Sequence, residues 1–196
     1  MSTEERYAEA RKLYDNDEYD KAVPLLETLT GEGHAGAQYC LGECYAMGAG
    51  VKEDISKAVE LVRNAAEKGY VEAQKNFGMW YFLGNGVAQN FAECVKWERK
   101  AAEQGSAEAQ YLLGVCYYKG NGIAQDKDKA IEWFRKAAEQ GNAGAQGVLG
   151  ACYYDGDGVA KDNAKAVEWC SKAAEQGNES AKKMLAEIKK RAKKWW

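Results

Sequence analysis

The chain has 196 residues, of which 46% are apolar and 29% are charged, and its formal net charge is −3 at pH 7. A nucleic-acid-binding domain is usually strongly basic, so this charge argues against a nucleic-acid partner. The single proline, the single histidine and the 21 glycines favour helices joined by glycine-containing turns over an all-β chain. One histidine also offers little for a metal site or for acid–base catalysis. We therefore predict a protein that is not an enzyme and binds no metal or cofactor.

Two further features concern the location of the protein. No segment approaches 18 consecutive apolar residues, and the opening residues Met-Ser-Thr-Glu-Glu-Arg are acidic where a secretory leader would be basic and then apolar. These features predict a cytoplasmic protein without a membrane-spanning segment. A membrane partner is not expected.

Residues 1–33 predict a pair of helices at the start of the chain. The sequence Asp-Asn-Asp-Glu at 15–18 is typical of a turn, and helical segments flank it. In the second of these segments the apolar stripe is formed by Tyr19, Ala22, Leu25 and Leu26.

A repeat with a period of 36 residues follows the first helix pair. Four segments that begin with Ala-Gln keep a glycine, a tyrosine and a Gly-x-Gly loop in register. The alanines that open these segments are Ala37, Ala73, Ala109 and Ala145. The recurrence predicts one supersecondary unit that is used four times.

Each repeat predicts two antiparallel helices. In the first repeat, a helix over 34–47 ends at the Gly-x-Gly loop, and Asp54 stands where the N-cap of the second helix is needed. A glycine inside the first helix recurs in all four repeats, as at Gly42, although it weakens a helix by about 1 kcal/mol relative to alanine. We expect a neighbouring helix to approach too closely there for any side chain. His34, at the start of the first helix, is expected to be a surface or capping residue.

The cysteines and tryptophans of the repeats are expected to be structural. Six cysteines in an intracellular chain are expected to be reduced, and their repeat positions indicate small buried residues. Trp97, Trp133 and Trp169 recur at one point of successive second helices, which favours packing in the core over stacking on a ligand.

Residues 178–196 predict a basic capping helix. This segment contains seven Lys or Arg residues against two Asp or Glu, and Ala181, Leu185 and Ile188 form its inward stripe. The segment ends in Trp195 and Trp196, which could also contact another copy of the chain or an anionic lipid surface. We rank a cap first, self-association into a homo-oligomer second and membrane contact third.

The recurring pattern AQ-x2-LG-x2-Y-x2-G-x-GV, followed by D, KA-x2-W and AAEQG, resembles the Sel-one-like repeat, a branch of the tetratricopeptide (TPR) superfamily. The resemblance covers residues 34–177. It implies an all-α fold, an α-solenoid in which antiparallel helix pairs form a right-handed superhelix. With the helix pair of residues 1–33 and the cap of 178–196, we expect about eleven helices in one continuous domain.

The resemblance also indicates where a partner would bind. In the TPR superfamily the first helices line a concave groove, and three positions of each first helix tend to face the ligand. Mapped onto this chain, the candidate binding residues are Tyr39, Glu43, Lys75, Met79, Phe82, Tyr111, Val115, Tyr118 and Tyr154, together with Ala46, Gly147 and Ala151. Tyr7 and Tyr14 extend this row in the N-terminal helix pair. Aromatic and methionine side chains are enriched at protein interfaces.

These residues favour an adaptor or scaffold that binds a protein or peptide partner on its concave, aromatic-rich surface. Two alternatives belong to other classes. The first is a self-assembling or membrane-surface structural protein that acts through residues 189–196. The second is a small-molecule binder or hydrolase, which would need an acid–base pair in the groove, where Glu43 has no histidine partner.

Overall fold

The fold was examined in a computed structural model, which describes residues 1–192. This range contains eleven helices and no strand, which confirms the predicted all-α solenoid class. The helices are α1 (Thr3–Asp15), α2 (Tyr19–Gly31), α3 (Ala35–Met47), α4 (Ile55–Glu67), α5 (Val71–Leu83), α6 (Phe91–Glu103), α7 (Ala107–Lys119), α8 (Lys127–Glu139), α9 (Ala143–Asp155), α10 (Asn163–Glu175) and α11 (Glu179–Ala192). They form two compact units, unit 1 (residues 1–101) and unit 2 (from residue 102 onward).

Side-chain caps define where the second helices begin. The carboxylates of Asp54 and Asp126 accept hydrogen bonds from the backbone N–H of the residue three positions later, at 2.9 and 3.0 Å. These bonds satisfy donors that a helix start leaves without an intrahelical partner. His34 caps α3 in the same way, because its Nδ1 accepts from the N–H of Ala37 at 3.1 Å. This arrangement confirms the expectation of a capping histidine.

The glycine inside the first helix marks a close approach between helices, as the sequence predicts. A Cβ on Gly42 would lie 2.8 Å from a methyl group of Val62. A Cβ on Gly114 would lie 2.7 Å from the ring of Phe134. Both distances are shorter than real Cβ contacts, so α3 packs on α4, and α7 on α8, only because these positions lack a side chain.

A chain of glutamine side chains joins successive repeats in unit 2, and two of its members, Gln110 and Gln146, are buried. The amide of Gln110 donates to the carbonyl of Ala102, and the amide of Gln146 donates to that of Ala138, each at 3.1 Å. The glutamine 30 positions later then donates to each of these side chains, Gln140 to Gln110 at 2.7 Å and Gln176 to Gln146 at 2.8 Å. The glutamines of the Ala-Gln and Glu-Gln-Gly parts of the repeat therefore supply hydrogen bonds at the C-terminal ends of the second helices, where backbone carbonyls lack an intrahelical partner.

The tryptophans of the second helices differ in burial. Trp97 is buried, with 4% of its surface exposed, whereas Trp133 and Trp169 are half-buried, more exposed than the sequence suggested. A lysine one turn later covers each exposed ring face, since Lys136 lies 4.2 Å from the Trp133 ring and Lys172 lies 4.4 Å from the Trp169 ring. Such cation–π contacts let a partly exposed indole remain shielded from water.

All six cysteines are buried and none forms a disulfide within the described residues, as expected for structural thiols. Burial raises the pKa of the Cys40 and Cys152 thiols to about 11 and that of Cys44 to about 12. A thiol with a raised pKa is a poor nucleophile near neutral pH, so these side chains act as small apolar groups of the core.

Candidate functional site

Two adjoining cavities form a groove on the first helices of unit 2, with volumes of about 360 and 260 Å³. They share Tyr111, Val148 and Ala151, so they are two parts of one depression. We call this depression the unit 2 groove. Its walls come from α7, α9 and α11, and Phe134 of α8 lies at its base. The other residues that line it are Val115, Tyr118, Lys119, Cys152, Asp155 and Asp157 in the larger cavity and Gly144, Gly147, Asn178, Ser180, Ala181 and Met184 in the smaller one.

The aromatic wall of the groove is held in place by contacts on both sides. The rings of Tyr111 and Tyr118 lie 6.0 and 6.3 Å from the ring of Phe134. The hydroxyl of Tyr118 donates a hydrogen bond to the carboxylate of Asp157, which also accepts one from Lys127 Nζ at 2.6 Å. The hydrogen bond to Asp157 is the main cause that raises the pKa of Tyr118 to about 12, and Lys127 and Tyr118 lower the pKa of Asp157. Tyr118 is therefore neutral and fixed in orientation at pH 7.

The structure brings together most of the candidate residues that belong to unit 2. Tyr111, Val115, Tyr118 and Ala151 line the same cavity. Tyr154 lines neither cavity, because its ring packs in the cluster that contains Ile188. Val148 and Met184 also line the groove but were not among the predicted residues. The spacing of Val148, one turn before Ala151, is the signal that could have identified it.

In unit 1 the candidate residues form a polar and aromatic network. The side-chain amide of Asn76 donates to the hydroxyl of Tyr39 at 2.7 Å and to Oε2 of Glu43 at 3.3 Å. The ring of Tyr39 lies 5.5 Å from that of Tyr70, whose hydroxyl is 3.1 Å from the hydroxyl of Tyr7. Tyr39 and Glu43 are thus joined, through a residue that was not among the candidates.

The remaining candidates of unit 1 lie along α5. Lys75, Met79 and Phe82 are half-buried, and the ring of Phe82 packs at 5.5 Å against that of Phe91. Ala46 lines a separate cavity of about 260 Å³. Trp195 and Trp196, the candidate tail contacts, lie outside the described residues.

The carboxylate of Glu43 is held in an unfavourable environment. Its Oε1 is buried and has no hydrogen-bond partner within the described chain. Burial is the main cause that raises the pKa of Glu43, and the hydrogen bond from Asn76 partly opposes it. The ionised form is therefore less favourable at this position than in water.

We expect Glu43→Gln to stabilise the fold near neutral pH by about 1 kcal/mol, because the amide keeps the shape of the side chain without the cost of burying a charge. The native pKa of Glu43 lies above the unfolded one, so the native state binds more protons between the two values, and stability falls as pH rises through this window. Below the unfolded pKa, about 4.3, both states are protonated and the destabilisation vanishes. The advantage of the variant should therefore shrink as pH falls.

Urea denaturation at several pH values measures this difference. Glu60→Gln, at an exposed carboxylate on α4, is the matched control and should have little effect. A variant that is no more stable than the parent at pH 7, or an advantage that grows at acidic pH, would contradict the expectation.

Two other properties bear on what the site can do. In the range 1–192, no group of three or more His, Cys, Asp or Glu side chains is placed to hold a metal ion. Among the same residues, every helix is too short or too polar to span a bilayer.

The repeated helix pairs, the glycine seams and the first-helix groove define the class of α-solenoid repeat proteins. The family model described as Sel1 repeat matches four consecutive segments, residues 35–70, 71–106, 107–142 and 143–178. The chain belongs to the Sel1 repeat family. A tetratricopeptide repeat model matches residues 7–50, which places the first helices in the same TPR-like superfamily.

Solved structures support the same assignment. The chain is 42% identical to a protective antigen present in uropathogenic Escherichia coli strains that displays an SLR fold, with a TM-score of 0.84 over 87% of this chain and 36% of the antigen. It therefore spans little more than a third of that protein. A Sel1 repeat protein from Oxalobacter formigenes is 30% identical, with a TM-score of 0.84 over 95% of this chain and 76% of that one. Cysteine rich protein B of Helicobacter pylori is 27% identical, with a TM-score of 0.53 over 68% of this chain and 96% of that protein.

No curated protein is significantly similar to this chain. Sel1 and TPR-like repeats generally mediate protein–protein interactions, and the Sel1 repeat is generally a non-enzymatic scaffold fold.

Proposed function

We propose that this protein is an adaptor that binds a partner peptide in the unit 2 groove. The general role of Sel1 repeats in protein–protein interaction supports this proposal. The observation that carries it is the groove itself, in which two cavities meet at Tyr111, Val148 and Ala151. No chemical step is part of the proposed function.

The chemistry of the groove indicates what kind of peptide it binds. Its lining is largely aromatic and aliphatic, and it also contains Lys119, Asp155 and Asp157. The larger cavity, about 360 Å³, falls in the size range of ligand pockets. Tyr118 is already fixed by Asp157, so little conformational entropy is lost when a partner packs on it. We therefore propose a peptide with two apolar anchor side chains, one for each cavity.

A peptide selected from a displayed random library against this protein tests the proposal. The Tyr111→Ala/Tyr118→Ala double variant should bind the selected peptide about 30-fold more weakly, a loss of about 2 kcal/mol, because aromatic residues in pockets are typical hot spots. Isothermal titration calorimetry measures both affinities.

The matched control is Met47→Ala/Leu83→Ala, which removes two large, exposed apolar side chains of unit 1, each more than half exposed. This control should bind the peptide like the parent. Unchanged affinity in a folded tyrosine double variant would contradict the assignment of the groove.

A further inference from the structure

The carboxylate of Glu43 lies where three first helices of unit 1 meet. Glu43 and Tyr39 extend from α3, Tyr14 from α1 and Asn76 from α5. The charge of Glu43 acts on both tyrosines, since it is the leading electrostatic cause, after burial, of the raised pKa of Tyr14 and of Tyr39. Asn76 bonds to both Glu43 and Tyr39, and Tyr14 and Tyr39 pack against the same cluster of buried side chains.

This carboxylate lacks the cation that buried carboxylates usually have. Oε2 accepts one hydrogen bond, at 3.3 Å from Asn76, and Oε1 accepts none from any described residue. The guanidinium of Arg11 lies near the Tyr14 ring, but its Nε donates to the two carboxylate oxygens of Asp15 at 2.8 and 3.0 Å. A buried carboxylate without a cation is unfavourable, and the folded chain retains this one.

We propose that Glu43, Tyr14 and Tyr39 form a receptor for the guanidinium group of an arginine side chain on the partner. This inference rests on the proposed adaptor function and adds a second contact, in unit 1, of a different chemical kind. A guanidinium has several N–H donors in one plane, which suit a carboxylate that has one oxygen free and the other only weakly bonded. Tyrosine faces attract the same cation.

A guanidinium fits this position better than an ammonium group does. It is planar, it is more weakly hydrated, and it stacks on aromatic rings, so it loses less on entering a half-buried site. The side chains of Glu43, Tyr14 and Tyr39 are all half-buried, so each keeps part of its surface accessible to solvent. The chain itself shows the same preference, since the Arg11 guanidinium lies 5.6 Å from the centre of the Tyr14 ring.

Titration with N-acetyl-arginine amide, followed by NMR, tests the proposal on the full chain. The side-chain amide signals of Asn76 and the ring signals of Tyr14 and Tyr39 should shift and saturate. The neutral isostere N-acetyl-citrulline amide should bind at least tenfold more weakly, and N-acetyl-lysine amide should also bind more weakly than the arginine compound. Glu43→Gln should abolish the shifts that arginine causes, whereas the matched control Glu60→Gln should leave them unchanged.

Three results would overturn the assignment: no saturable shift with the arginine compound, equal binding of arginine and citrulline, or binding that survives in Glu43→Gln. Equal binding of the lysine compound would overturn the choice of a guanidinium. These measurements involve neither Tyr111 nor Tyr118. A failure here therefore leaves the unit 2 groove unaffected, and a failure of peptide binding in the groove leaves the arginine result intact.

Discussion

Ala151→Arg should reduce the affinity of the protein for the library-selected peptide about 100-fold or more, which corresponds to about 3 kcal/mol. Ala151 lines both cavities of the unit 2 groove, so a long charged side chain at this position would occupy the space of both apolar anchors. It would also place a guanidinium against the aromatic wall that the peptide needs. Fluorescence anisotropy with a labelled peptide measures the loss.

The fold should tolerate this change, because Ala151 is only half-buried and faces the groove. Ala186→Arg is the matched control, since Ala186 is an exposed alanine on α11 that lines neither cavity. The control should bind the peptide as the parent does. A folded Ala151→Arg variant with parental affinity would show that the peptide binds elsewhere.

Gly114→Val should destabilise the protein by about 3 kcal/mol, the upper end of the usual range for an overpacked core. Valine is the better helix former, so helix propensity alone predicts the opposite sign. The opposing effect is steric, because the added Cβ would lie 2.7 Å from the ring of Phe134 and 3.3 Å from the carbonyl oxygen of Ala130. Chemical denaturation of the variant measures the free energy of unfolding.

Gly31→Val provides the control for this prediction. Gly31 is also helical, at the end of α2, and a Cβ there would have no atom within 4 Å. It should therefore be neutral or slightly stabilising. If the two variants lost the same stability, the recurring glycine would be a general helix effect and not a helix–helix contact.

Much of the fold could be predicted because the same residues that start, end and pack a helix recur in all four repeats. The N-cap aspartates indicate where a helix begins, the Gly-x-Gly loops indicate where a helix ends, and the in-register glycines indicate a contact between helices. The glutamine chain could not be predicted, since the sequence shows that Gln110 and Gln146 recur but not which carbonyl each one reaches. The glutamine chain is interrupted at Gln38, because Lys68 stands at the position of the donating glutamine and its Nζ instead donates to the backbone carbonyl of Gly33 at 2.6 Å.

The candidate site was predictable in part. Tyr111, Val115 and Tyr118 follow the ligand-facing positions of the superfamily, and the structure places them in one cavity. Tyr154 occupies the corresponding position in the next repeat, but α11 provides Ile188 as a packing partner for it. The role of Asn76 also depends on tertiary structure, because it joins Tyr39 and Glu43 from another helix. The position of a residue within the repeat thus predicts which face of the helix it lies on. The residues that pack against that face determine whether it is accessible to a partner.

Photo-crosslinking directly tests whether a peptide binds on the first helices of unit 2. A benzophenone amino acid replaces Val115, which lines the groove, or Glu132, which is exposed on α8, and a groove-selected peptide is then added. We expect crosslinks from position 115, mapped by mass spectrometry, and none above background from position 132. Crosslinks from position 132 alone would place the peptide on the second helices and contradict binding in the unit 2 groove.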